Sequence, residues 1–110
     1  MARTLVNLPP VIRRGDVVEV RTLIAHPMET GYRPGADGKV LPRDLIHRFS
    51  CVYDDGTSPE QVFSATLFPA IAANPYLAFH LRATASGTLR LTWEGDNGFS
   101  QTETVPIRVT

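Results

Sequence analysis

The chain's single cysteine, Cys51, is the first residue whose type suggests chemistry. A thiol can act as a nucleophile or as a covalent attachment point. Phe49 and Tyr53 lie two positions away on either side, in the same phase of an alternating run, and no glycine flanks the cysteine. A thiol buried among aromatic side chains has a raised pKa and is unreactive. We therefore expect Cys51 to be a core residue; the alternative is an enzyme or sulfur-transfer protein that depends on Cys51.

The three histidines do not form a metal-binding pattern. No Asp or Glu stands two or four positions from His26, His47 or His80, so the spacing of known metal motifs is missing and we expect no metal and no cofactor. His47 shares the phase of Leu45 and Phe49, which predicts a histidine in the core or at its rim. His80 falls on an outward phase, and His26 opens a long irregular segment.

The remaining candidates are carboxylates in turn sequences. Asp54, Asp55 and Asp96 lie in glycine-containing turn sequences, where aspartate side chains accept hydrogen bonds from nearby backbone N–H groups. The chain shows no Ser-His-Asp order, phosphate-binding glycine loop or carboxylate pair. These residues favour a binding or scaffold domain that is not an enzyme.

Composition narrows the class of protein further. With 110 residues, 43% hydrophobic and 20% charged, the chain predicts one globular domain over residues 1–110. Eleven basic residues balance eleven acidic ones, so we expect neither a nucleic-acid partner nor an anionic membrane surface. Its apolar runs are far shorter than the roughly 20 residues of a membrane span. The first eight residues have no apolar stretch, so we expect no signal peptide.

Short alternating runs separated by turn sequences dominate the chain. Leu77, Phe79, Leu81 and Ala83 alternate with polar or small residues, which is typical of a half-buried strand. Similar runs predict strands at Arg3–Leu8, Asp16–Ala25, Leu45–Asp54, Gln61–Phe68, Tyr76–Ala83, 88–94 and Gln101–Val109. This pattern predicts an all-β fold, an immunoglobulin-like antiparallel β-sandwich of about seven strands.

The prolines and one irregular segment predict where strands end and where a long loop interrupts the sandwich. Pro69 ends the fourth run, and residues 70–73 could form one helical turn before the fifth. Pro106 removes a ladder donor, so we expect the last strand at a sheet edge. The segment 26–44 is long for a compact domain, and we interpret its first residues, 26–31, as a recognition loop. A free-standing sandwich that binds a small ligand at this segment is the alternative.

Apolar residues exceed what one sandwich core requires. Val17, Ile46, Val52, Tyr76 and Ala78 fall on phases opposite the predicted core residues. An outer sheet face exposed to water is normally polar. We therefore expect a partner to cover part of one outer face, and the isolated chain to self-associate through the same patch.

Several segments together resemble one known family. His26–Gly31, Ile46–Phe49, Leu67–Tyr76 and Trp93–Gly98 resemble the SoxZ family, the Z subunits of the bacterial Sox sulfur-oxidation carrier complex. The resemblance covers essentially the whole chain. It implies an immunoglobulin-like sandwich that forms a heterodimer with a related subunit, SoxY, which carries thiosulfate-derived sulfur on a cysteine in a glycine-rich C-terminal arm.

The resemblance also implies a division of labour. Val105–Thr110 contains neither glycine nor cysteine, so this chain resembles the non-carrier subunit, which helps present the arm transiently to the other Sox enzymes. Periplasmic location without a signal peptide of its own, through co-export with SoxY, is implied as well. The resembling segments supply the candidates for recognition of partner and enzymes: His26, Pro27, Met28, Glu29, Thr30, Gly31, Asn74, Tyr76, Asp96 and Asn97.

Overall fold

The computed structural model describes residues 2–68 and 73–110 of the chain. These residues form seven strands and a single 3-10 turn. The elements are β1 (Thr4–Asn7), β2 (Val17–Ile24), β3 (Ile46–Asp54), β4 (Pro59–Thr66), β5 (Tyr76–Arg82), β6 (Gly87–Gly95), the 3-10 turn (Asp96–Gly98) and β7 (Ser100–Ile107). No helix in the described ranges is long and apolar enough to cross a membrane.

The strands form two antiparallel sheets packed face to face. One sheet has the order β1-β2-β5 and the other β4-β3-β6-β7. The predicted immunoglobulin-like antiparallel sandwich is confirmed. β7 lies at a sheet edge, as Pro106 predicted. The helical turn expected at 70–73 lies outside the described residues apart from Ala73, which is in a bend.

Aromatic rings from both sheets fill the centre of the core. Phe49 of β3 lies 5.2 Å from Trp93 of β6 and 5.9 Å from Phe79 of β5, measured between ring centroids. Phe79 also stacks on Phe63 of β4 at 4.6 Å. These rings come from alternating positions that face inward, so the apolar residues two apart in the sequence form the contact between the two sheets.

A β-bulge at the start of β3 overturns two predictions. The pairing of β3 with β6 shifts register between Ile46 and Arg48. An extra residue at this point reverses the phase of the side chains before it. Ile46 is therefore fully buried instead of lying on an outer face, and His47 is exposed instead of lying in the core or at its rim. Strict alternation, on which both predictions depended, holds only beyond the bulge.

Candidate interaction site at one end of the sandwich

Antiparallel pairing brings the candidate segments to the same end of the sandwich. β2 and β6 end there, while β3, β5 and β7 begin there. The loop after β2 is hydrogen-bonded to the turn before β5, since Asn74 N–H donates to His26 O at 2.7 Å. The loop also reaches the other sheet, because Ile46 N–H of β3 donates to Met28 Sδ at 3.3 Å. The candidates at 26–31, at 74 and 76, and at 96–97 therefore lie at the same end of the sandwich.

His26 is a buried anchor of the loop. Its side chain is only 5% exposed, and its Nδ1 accepts a hydrogen bond from Met28 N–H at 3.1 Å. With Nδ1 as acceptor, the neutral ring carries its proton on Nε2, which lies 3.5 Å from Asp44 Oδ1. Phe99 meets the ring edge-on at 5.2 Å between centroids. His26 therefore shapes the loop from inside instead of meeting a partner directly.

Asn74 fixes the neighbouring turn through a reciprocal pair of bonds. Its Oδ1 accepts from His26 N–H at 2.9 Å, and its own N–H donates to the His26 carbonyl. Its φ of 53° lies in the left-handed region, which asparagine tolerates better than most residues. The side chain that ties the two loops together is also exposed at the surface.

Met28 is the second buried residue of the predicted recognition loop. Its side chain is 5% exposed and belongs to the core, and its φ is 53°. The next residue, Glu29, exchanges two backbone hydrogen bonds of 2.8 Å with Asp44. Arg33 pairs with the Glu29 carboxylate and lowers its pKa. Pro27 is exposed, while Glu29, Thr30 and Gly31 are half-buried, so the loop meets solvent only in part.

Asp96 organises the opposite side of this end. Its carboxylate accepts from Arg43 Nη2 at 2.8 Å and Arg43 Nε at 2.9 Å, and from Leu45 N–H at 3.1 Å. The hydrogen bond from Arg43, opposed in part by desolvation, holds the pKa of this carboxyl below its usual value. Asn97, with φ of 59°, donates from Nδ2 to Arg43 O at 3.4 Å and is itself exposed. Both residues hold the 26–44 segment against the β6–β7 turn.

An apolar row beside Asn74 was only partly predicted. Register places Leu5 of β1 opposite Leu23 of β2, and Leu23 opposite Tyr76 of β5. All three point outward and are 55%, 37% and 58% exposed. Tyr76 was among the predicted outward apolar residues, whereas Leu5 and Leu23 were not. Leu5 lies in a strand of four residues, which is too short for a clear alternation to appear in the sequence.

Cys51 lies in the core, as the sequence predicted. Its side chain is fully buried, and its pairing partners are Leu91 of β6 and Phe63 of β4. Burial raises the pKa of the thiol to about 12, so at neutral pH it is neither ionised nor accessible. Residues 2–68 and 73–110 contain no group of three or more His, Cys, Asp or Glu side chains that could hold a metal ion.

The fold is a two-sheet β-sandwich with seven strands in the described part of the chain. The chain belongs to the SoxZ family, since the family model described as sulphur oxidation protein SoxZ matches residues 6–106. It is thus a subunit of a Sox sulfur-oxidation system. A search of curated protein sequences found no match.

Solved structures share the fold at low sequence identity. The sulfur carrier protein SoxY from Chlorobium limicola f thiosulfatophilum is 17% identical, with a TM-score of 0.66 over 97% of this chain and 78% of that one. The superoxide reductase (neelaredoxin) from Ignicoccus hospitalis is 16% identical, with a TM-score of 0.75 over 99% of this chain and 82% of that one. At these identities the likeness shows the fold alone.

Proposed function

We propose that this chain is the non-carrier subunit of a sulfur carrier complex in bacterial thiosulfate oxidation. Membership of the SoxZ family supports the pathway. The observation that carries the non-carrier role is the burial of the only cysteine, since a covalent sulfur carrier needs an exposed, ionisable thiol. The sulfur is then carried by the partner, a SoxY-type subunit, with which this chain forms a stable heterodimer.

The chain's task in this complex is to hold and present the carrier subunit, not to catalyse a step. The likeness in fold to a SoxY structure supports a pair of related sandwiches as the basis of the heterodimer. The end surface with Pro27 and Asn97 is then available to the pathway enzymes that the carrier meets transiently. We place the complex in the periplasm, which this chain reaches in company with the carrier subunit.

Mass spectrometry of the intact subunits tests the division of labour. The chain and a SoxY-type carrier subunit are purified together, loaded with sulfur by the pathway enzymes and thiosulfate, and weighed under non-reducing conditions. We expect a sulfur adduct on the carrier subunit and none on this chain. Cys51→Ala, as control, leaves loading unchanged. An adduct on Cys51 that disappears in this variant would replace the proposal with a sulfur-transfer role for this chain.

A further inference from the structure

The two outer faces of the sandwich differ in chemistry. On the four-stranded sheet, the outward residues of β6 and its neighbour β7 are polar except for Pro106: Thr88, Arg90, Thr92, Glu94, Ser100, Thr102 and Thr104. On the three-stranded sheet, the outward positions include the apolar row of Leu5, Leu23 and Tyr76. Since both faces belong to one fold, their difference marks the three-stranded face as the one that another protein covers.

The apolar row adjoins a depression next to the candidate site. The depression has a volume of about 400 Å³, and its lining includes Arg3, Leu5, Leu23, Ala25 and Asn74. Asn74 is the residue that ties the β2 and β5 loops together. A side chain of a partner can enter this depression while the partner's main surface lies on the row. Face and depression thus form one surface.

The charges around the row indicate the chemistry of the partner. Arg3, Arg21 and Arg82 are exposed on this face, and the acidic side chain among the outward positions of its strands is Glu19. Glu19 is already paired with Arg21. The face therefore carries a net positive charge, which complements a partner whose contact surface is apolar at the centre and acidic at its rim. A second copy of this chain would instead bring two positive faces together.

The dimensions of the face fit one sheet of another small sandwich. The three strands have four, eight and seven residues and lie about 4.8 Å apart, so the face measures at most roughly 14 by 26 Å. This projected footprint understates the accessible surface, which follows the relief of the side chains. A standard interface buries roughly 800 Å² per partner, so the depression and the Asn74 turn must contribute contact area beyond the sheet itself.

We propose that the outer face of the β1-β2-β5 sheet, centred on Leu5, Leu23 and Tyr76, is the surface on which the carrier subunit packs. This inference rests on the proposed function for the identity of the occupant. The carrier subunit buries the apolar row and sets carboxylates against the arginines around it. The permanent interface then leaves Pro27 and Asn97, at the end of the sandwich, free for transient contacts.

Threonine substitutions on this face provide the test, because threonine keeps a high strand propensity while removing apolar surface. Tyr76→Thr and Leu23→Thr are each titrated with the carrier subunit by calorimetry. Tyr32→Thr and Val40→Thr, at exposed positions in the 26–44 segment, are the matched controls. We expect each face variant to weaken binding at least tenfold, since the inference makes both residues apolar anchors at the centre of the interface, and each control to bind as the wild type does.

The salt dependence of binding and the self-association of the isolated chain are measured as well. At about 1 M salt, charges more than about 3 Å apart are screened. We expect the loss of wild-type affinity caused by this salt to be smaller than the loss caused by the Tyr76→Thr substitution. Wild-type affinity in both face variants would overturn this inference and leave the proposed function standing. Failure of the wild-type chain to bind the carrier subunit would overturn the proposed function. A homodimer that Tyr76→Thr dissociates, in a chain that ignores the carrier subunit, would assign the face to a second copy.

Discussion

The thiol of Cys51 offers the sharpest test of the non-carrier role. Its ordinary pKa of 9.0 is raised to about 12 by burial. At pH 7 the ionised fraction therefore falls from about one in a hundred to about one in a hundred thousand, a thousandfold loss of the reactive form. Complete burial adds a second barrier, because a reagent must wait for the sandwich to open.

Labelling with a chromogenic disulfide reagent measures both effects together. The native chain should show no reactive thiol on the time scale in which a free cysteine reacts fully, and the denatured chain should show one. Cys51→Ala serves as the blank and removes a small buried group, at a cost of about 1 kcal/mol in the free energy of unfolding. The reaction of the native chain should accelerate with denaturant in parallel with unfolding.

Rapid and stoichiometric labelling of the folded chain would refute this reasoning. It would mean that the thiol is accessible at the surface of the sandwich, and the argument for a non-carrier subunit would lose its basis. Labelling that is slow and insensitive to denaturant would point to a local opening of β3 or β4 instead of global unfolding. The dependence on denaturant therefore separates the two explanations.

Three further predictions concern the framework of the site. Gly87→Ala places a Cβ 1.9 Å from the Asp54 carbonyl oxygen, so β3 and β6 must separate; we expect a loss of roughly 3 kcal/mol, measured by urea unfolding. His26→Ala removes a buried ring and its hydrogen bond and should cost roughly 2–3 kcal/mol in the same assay, so that binding falls only together with stability. Asp96 has a pKa held below its ordinary 3.8 by Arg43, so its contribution to stability is complete above about pH 4 and is lost as the pH falls through the folded-state pKa; Asp96→Asn should flatten this acid dependence.

Each of these predictions has a control in the same chain. Gly35→Ala meets first the mobile Leu41 Cδ2 at 3.0 Å and should cost far less than the change at Gly87. His80→Ala removes an exposed ring, and Asp37→Asn alters a carboxylate in the exposed part of the long segment. Equal losses in a variant and its control would show that the contact named for that residue does not matter.

The strand pattern was readable from the sequence because it depends on local alternation. Leu77, Phe79, Leu81 and Ala83 were predicted to form one face of a half-buried strand, and the last three of them are buried. The burial of Cys51 followed from its place between two aromatic residues of the same phase. In each case the period of the backbone determines which side chains face the core.

The recognition loop was predicted less well because its structure depends on distant residues. His26 and Met28 have the composition of a surface loop, but Asn74 and the start of β3 draw them inside. The pairing of Arg43 with Asp96 joins positions 53 residues apart. No local pattern encodes these contacts, since they arise only when both sheets have formed.

The sequence alone therefore determined the class of fold, the phase of the core strands and the absence of an exposed thiol at Cys51. The tertiary structure decided that Ile46 turns inward and His47 outward, because a bulge changes the phase without altering the composition. It also decided that Leu5, Leu23 and Tyr76 form one row. Register between strands is set by contacts across the sheet, so three residues far apart in the chain become neighbours on a surface only after the strands have paired.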